Sequence, residues 1–147
     1  MFSQGSVLMQ IFLAAPLFSE AEREFNRKVA SELRKAGFSV WMAQEAPFIE
    51  EGTDEEKRSI YKGDIAALER SDAMVAVLDG IDVESGVAFE IGYAAALHKT
   101  IIGLKTDYRT FSKIESVNLM LELSMRRIYG STNEVIEALR SVRQKNQ

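Results

Sequence analysis

Two kinds of apolar pattern alternate along the chain. Gln10 to Ala15, Phe38 to Met42, Ala73 to Leu78 and Thr100 to Leu104 are short, mainly apolar runs of strand length. Longer stretches between them set apolar residues three or four positions apart, the period of a helix with one buried face. Phe25, Val29 and Leu33 form one such stripe. It opens at Ser19, with Glu22 three residues on as in a capping box, and stops at Gly37. Thr53 with Glu56 opens a second helix that runs to about Arg70. Ser85 begins a third that ends near His98, and Ser131 with Glu134 caps the last. The basic stretch from Arg140 to Lys145 reads as the solvated end of that helix. Arg127 to Tyr129 makes a short fifth strand, Ala43 to Gly52 a loop containing Pro47, and Met1 to Leu8 a frayed lead-in. Asn118 to Met125 fits a helix or a packed loop.

Strands alternating with helices imply right-handed βαβ units, hence a parallel sheet with helices on both faces. The expected architecture is α/β, a single flavodoxin-like doubly wound domain over residues 1–147 with five parallel strands in the order 2-1-3-4-5. No Pro- or Gly-rich linker interrupts it. Ligands of such sheets bind beyond the carboxyl ends of the strands. That rule marks Pro16-Leu17-Phe18, Gln44, Asp79 to Glu84, and Thr106-Asp107.

Composition narrows the chemistry. With 147 residues, 46% hydrophobic and 27% charged, the chain is neither disordered nor repeat-built. Its net charge of −4 gives no basic surface for nucleic acid. The apolar segment from Val7 to Phe18 has no Lys or Arg before it, is interrupted by Gln10 and is too short to span a bilayer. A buried first strand, no membrane partner and a cytoplasmic location are expected. The absence of Cys excludes a disulfide scaffold, a thiolate metal site and a cysteine nucleophile. A single histidine, His98, excludes a multi-His metal centre. Carboxylates and backbone groups are left to do any chemistry.

Glu90 sits in an otherwise apolar helix among Ala88, Phe89 and Ile91, about one turn from its N-terminus. It is either a half-buried acid with a raised pKa or a solvent-facing glutamate. Ile60, Asp64 and Leu68 recur at helical spacing, so Asp64 lies on the inward face or at its boundary. Asp79, Asp82 and Glu84 follow the third strand closely and fit a cation site or a solvated turn; the spacing of a calcium loop is missing. A phosphoacceptor role for Asp79 lacks an acidic pair after the first strand. Two carboxylates close together are also the equipment for cleaving a glycosidic bond with retention. Trp41 and the phenylalanines read as core, His98 as a complement to a helix dipole, and Tyr93 as either core or site.

Taken together, Ile11 to Phe18, Asp64 ahead of Ser71-Asp72-Ala73, Leu78-Asp79-Gly80, Glu84 to Ala94 and Asn118-Leu119-Met120 resemble the nucleoside 2-deoxyribosyltransferase family. The resemblance runs from Ile11 to about Tyr129. It implies transfer of 2-deoxyribose from a nucleoside to a free nucleobase, without metal or organic cofactor. By analogy Glu90 is the nucleophile, and Asp64 handles the base or its proton. Glu84 holds the sugar hydroxyls, and Gln44 contacts the base. The oriented Ser85-Gly86 backbone, with nearby carboxylates, stabilises the oxocarbenium-like state. Phe12 and Asp79 complete the expected substrate-binding set. Asn118 and Met120 match residues that a neighbouring subunit contributes, which implies a homo-oligomer, a dimer or larger.

Phe12 stands where many transferases carry a tyrosine that orients the nucleophile. Glu84 is one methylene longer than their usual aspartate. Related nucleotide hydrolases share the fold and nucleophile, and commonly have a phosphate-binding serine at the position of Glu84. A carboxylate there repels a phosphate dianion and favours nucleosides. The alternatives are an N-glycosidase acting on a deoxynucleoside or its monophosphate, and a binding module without turnover.

Overall fold

The structure is a computed structural model that describes residues 7–145, apart from the Lys145 side chain. Residues 1–6, most of the expected lead-in, lie outside the described residues. The strands are β1 (Gln10–Ala14), β2 (Ser39–Trp41), β3 (Ala73–Val77), β4 (Thr100–Leu104) and β5 (Arg127–Tyr129). The helices are α1 (Glu20–Lys35), α2 (Asp54–Arg70), α3 (Ser85–Ala96), α4 (Leu119–Glu122) and α5 (Thr132–Lys145). All neighbouring strands pair in parallel, in the order β2-β1-β3-β4-β5.

Both predicted capping boxes form. The Ser19 hydroxyl accepts the Glu22 N–H at 3.1 Å while Glu22 accepts the Ser19 N–H at 2.7 Å. Thr53 and Glu56 repeat the exchange at the start of α2. Gly37 follows α1 with φ +92°, a conformation that costs glycine little. His98 plays the corresponding part after α3, with φ +56° and its N–H on the Ala95 carbonyl. The ambiguous segment resolves into the short α4, where the Asn118 side chain accepts the Met120 N–H at 2.9 Å.

Strand alternation divides the core into two layers. Ile11, Leu13 and Val75 pack with Val29 and Leu33 of α1 and Leu139 of α5. Phe12, Ala14 and Met74 face the other way, toward Leu68 of α2 and Ile91 of α3. Each large apolar side chain buried this way contributes about 1.5–3 kcal/mol. Among the described residues no helix is long and apolar enough to cross a membrane.

The aromatic residues depart from the sequence expectation. Phe12 and Phe38 are buried and Phe25 is partly buried, but Phe18, Phe48, Phe89 and Phe111 are exposed. The exposed four lie in loops or on an uncovered face of α3. Phe2 lies outside the described residues.

Candidate active site

The turn after β3 carries the chain across the carboxyl edge of the sheet into α3. Glu84 is the N-cap of that helix: its Oε2 accepts the Val87 N–H at 3.0 Å, and the Ser85 hydroxyl donates to its Oε1 at 3.0 Å. Glu90 follows further along α3 and is half-buried. Phe12 and Leu17 line a cleft of about 190 Å³ with Trp41, Asp64, Glu84 and Glu90. Gly86 and the exposed Phe18 complete its wall. The structure therefore brings Glu90, Asp64, Glu84, Gly86 and Phe12 together from β1, α2 and α3. Ser85 stands beside them through its bond to Glu84.

The three acids titrate differently. Burial pushes Glu90 up to about 8, and the neighbouring charges of Asp64 and Glu84 push the same way. Burial also raises Asp64. For Glu84 burial opposes ionisation, but the backbone N–H groups of Gly86 and Val87 and the Ser85 hydroxyl outweigh it and hold the pKa below the usual glutamate value. One carboxylate is thus fixed in its charged form beside two that hold protons more readily. That arrangement can supply a nucleophile, an acid and a fixed negative charge within one cleft.

Asp64 borders two further clefts. One of about 300 Å³ lies between α2 and α3, walled by Tyr61, Ile65, Leu68 and Phe89. The other, of about 330 Å³, lies between α2 and the loop after β2, walled by Trp41, Pro47, Ile60 and Arg70.

Other expected site residues stand elsewhere. Asp79 does not line the Glu90 cleft; its carboxylate accepts the N–H groups of Thr106 at 2.7 Å and Asp107 at 3.0 Å, tying the ends of β3 and β4 together. The Gln44 amide is engaged with α1, accepting from Asn26 at 2.8 Å and donating to the Arg23 carbonyl at 3.0 Å. Asn118 caps α4, and Met120 is exposed; neither lines the cleft. Asp82 accepts the N–H of Val83 at 2.8 Å. Among the described residues no group of three or more His, Cys, Asp or Glu is arranged to hold a metal ion. The Tyr93 hydroxyl donates to Glu69 at 2.7 Å, and the residue is absent from the cleft wall. Trp41 is the functional candidate that the sequence reading missed: it is half-buried, lines the cleft and stacks on Phe12.

The family model for nucleoside 2-deoxyribosyltransferase matches residues 11–134. A conserved protein of Enterococcus faecalis V583 is 25% identical with a TM-score of 0.80, over 92% of this chain and 99% of its own. The 2-deoxyribosyltransferase of Bacillus psychrosaccharolyticus is 25% identical with a TM-score of 0.76, over 86% of this chain and 90% of its own. The CMP N-glycosidase BcmB of Clostridium botulinum shares the fold at 23% identity and a TM-score of 0.58, over 90% of this chain and 98% of its own. No curated protein sequence matches the chain.

Proposed function

The chain belongs to the nucleoside 2-deoxyribosyltransferase family, and from that premise we propose that it moves 2-deoxyribose between nucleobases through a covalent ester on Glu90. The observation that carries the reading is one cleft in which Glu90 meets Asp64 and the capped, ionised Glu84. In the first half-reaction the ionised form of Glu90, in which the proton the pair shares sits on Asp64, bonds through one oxygen to C1′ as the N-glycosidic bond breaks. The departing electron pair stays on the base nitrogen, which takes a proton from Asp64. In the second, a nitrogen of the incoming base bonds to C1′, the ester bond breaks, and Asp64 recovers a proton. Two displacements at one carbon return the original configuration. Glu84 offers the sugar hydroxyls a charged acceptor, and its charge favours the cationic character that develops at C1′. No cofactor enters these steps.

A second copy of the chain belongs to this reading. Leu119, Met120 and Leu123 are 49%, 71% and 81% exposed beside Asn118, an apolar patch that suits self-association. Salvage of nucleotides in the cytoplasm is the setting that goes with such exchange.

Hydrolysis is the second reading. Phe18, Tyr61 and Phe89 around the clefts are 74%, 56% and 51% exposed, so water reaches the site of an isolated chain. Chromatography of deoxyinosine with excess adenine separates the two. Transfer yields deoxyadenosine in the native protein and none in Glu90→Ala. Free hypoxanthine without deoxyadenosine identifies a hydrolase instead.

A further inference from the structure

We propose that Asn26 is a positioning residue: it ties the loops after β1 and β2 into one wall of the Glu90 cleft, and so decides whether the bound sugar passes to a base or to water. The inference rests on the transferase reading and names a residue that governs its outcome.

Asn26 lies on α1, is 2% exposed and does not itself line the cleft. Its amide nitrogen donates to the Pro16 carbonyl at 2.8 Å and to Gln44 Oε1 at 2.8 Å. Gln44 in turn donates through Nε2 to the Arg23 carbonyl at 3.0 Å. A backbone carbonyl closes each end of this series of bonds, and a carbonyl can only accept. The orientation of both amides is therefore fixed, since turning either one over sets two acceptors face to face. Pro16 precedes Leu17 and Phe18, and Gln44 follows Ala43; Leu17, Phe18 and Ala43 all line the Glu90 cleft. Arg23 holds the Leu17 carbonyl at 3.0 Å, and Glu22 holds the Phe18 N–H at 2.8 Å. Among the described residues, however, Asn26 is the one side chain bonded to both loops.

Asn26 Oδ1 is buried and has no hydrogen-bond partner among the described residues. An idle buried acceptor costs stability. What the residue contributes lies in its two N–H bonds, and those bonds set the loops.

The consequence falls on the second half-reaction. The ester on Glu90 is taken by whichever nucleophile reaches C1′. When water does so, its oxygen bonds to C1′, the electron pair of the ester bond returns to Glu90, and the proton goes to ionised Asp64. A wall held in place keeps water from C1′ while the base is seated, and a slack wall admits it.

Asn26→Asp keeps the shape and loses both N–H bonds. With deoxyinosine and excess adenine, its ratio of free deoxyribose to deoxyadenosine is expected to exceed the native ratio about tenfold. Partial unfolding lowers both products equally and leaves the ratio unmoved. Gln44→Ala cuts only the link to the loop after β2, at a half-buried side chain. It is expected to move the ratio the same way, and it decides the matter where Asn26→Asp does not fold. Native ratios in the folded variants of a protein that exchanges bases overturn this inference alone. A native protein that makes no deoxyadenosine defeats the transferase reading, and Trp41 then decides the wall. It is the one tryptophan of the chain and lines the cleft. Its emission is expected to be more open to acrylamide quenching in both variants than in the native protein. Equal quenching overturns the positioning role of Asn26.

Discussion

Phe12 lies stacked on Trp41, with ring centroids 4.7 Å apart and planes inclined by 23°. The pair walls the cleft that contains Glu90, and neither ring offers it a hydroxyl donor. Nothing on that wall offsets the burial that raises Glu90 to about 8. A buried carboxylate is ionised more readily when it accepts a hydrogen bond. Phe12→Tyr is therefore expected to move the lower limb of the pH profile of kcat/KM toward acid by about one unit. At about pH 6 that corresponds to a rate roughly tenfold higher. An unmoved limb removes Phe12 from the control of Glu90.

The same raised pKa makes stability depend on pH. Folded Glu90 keeps its proton to about 8, whereas the ordinary glutamate value is 4.5. The stability this proton supplies is fully present below that lower value and is lost as pH rises through the higher one. Glu90→Gln keeps the shape without the titration. Its melting temperature, relative to the native protein, is expected to climb between about pH 5 and about pH 8 and level off above. The slope is at most about 1.4 kcal/mol per pH unit. A constant difference across that range contradicts a buried, proton-holding Glu90.

Glu84 occupies the N-terminal amides of α3, which would otherwise favour an anion. Glu84→Ser retains a capping residue and removes the charge. Turnover of deoxyinosine monophosphate relative to deoxyinosine is expected to rise at least about tenfold, the order of effect of relieving one close like-charge contact. Parallel assays of the two donors read the ratio. An unchanged ratio means that the phosphate lies away from Glu84.

The exposed Leu123 tests self-association. Light scattering of the native protein is expected to give a multiple of 16.5 kDa. Leu123→Asp, which puts a charge into the apolar patch, is expected to yield monomer and to lower exchange by at least about tenfold. A native monomer that exchanges bases at full rate rules out a contribution from a second copy.

Much of this architecture was legible because local signals agreed with tertiary ones. Ser19 with Glu22 and Thr53 with Glu56 announced helix starts that packing then used. Glu90 and Asp64 stood out as acids on apolar faces, and the fold brings both to one cleft. Trp41 was hidden: a large ring at a strand end reads as core, and its half-exposure depends on the path of the loop that follows. Asp79 and Gln44 lie near the sheet edge as expected, but pattern says nothing of the partners they find there. Backbone amides of the β4 loop take Asp79, and α1 takes Gln44. The exposed Phe18 and Phe89 show the same limit, since no periodicity tells which side of a helix or loop is left uncovered.

The covalent ester on Glu90 is the centre of the proposed chemistry. Its direct test is acid quenching of the protein with deoxyinosine and no acceptor, followed by peptide mass analysis. The expected result is one added deoxyribosyl group on the peptide that carries Glu90, absent from Glu90→Gln and discharged as deoxyadenosine when adenine is added before the quench. Base release at the native rate by Glu90→Gln, or a sugar attached to any other residue, contradicts it.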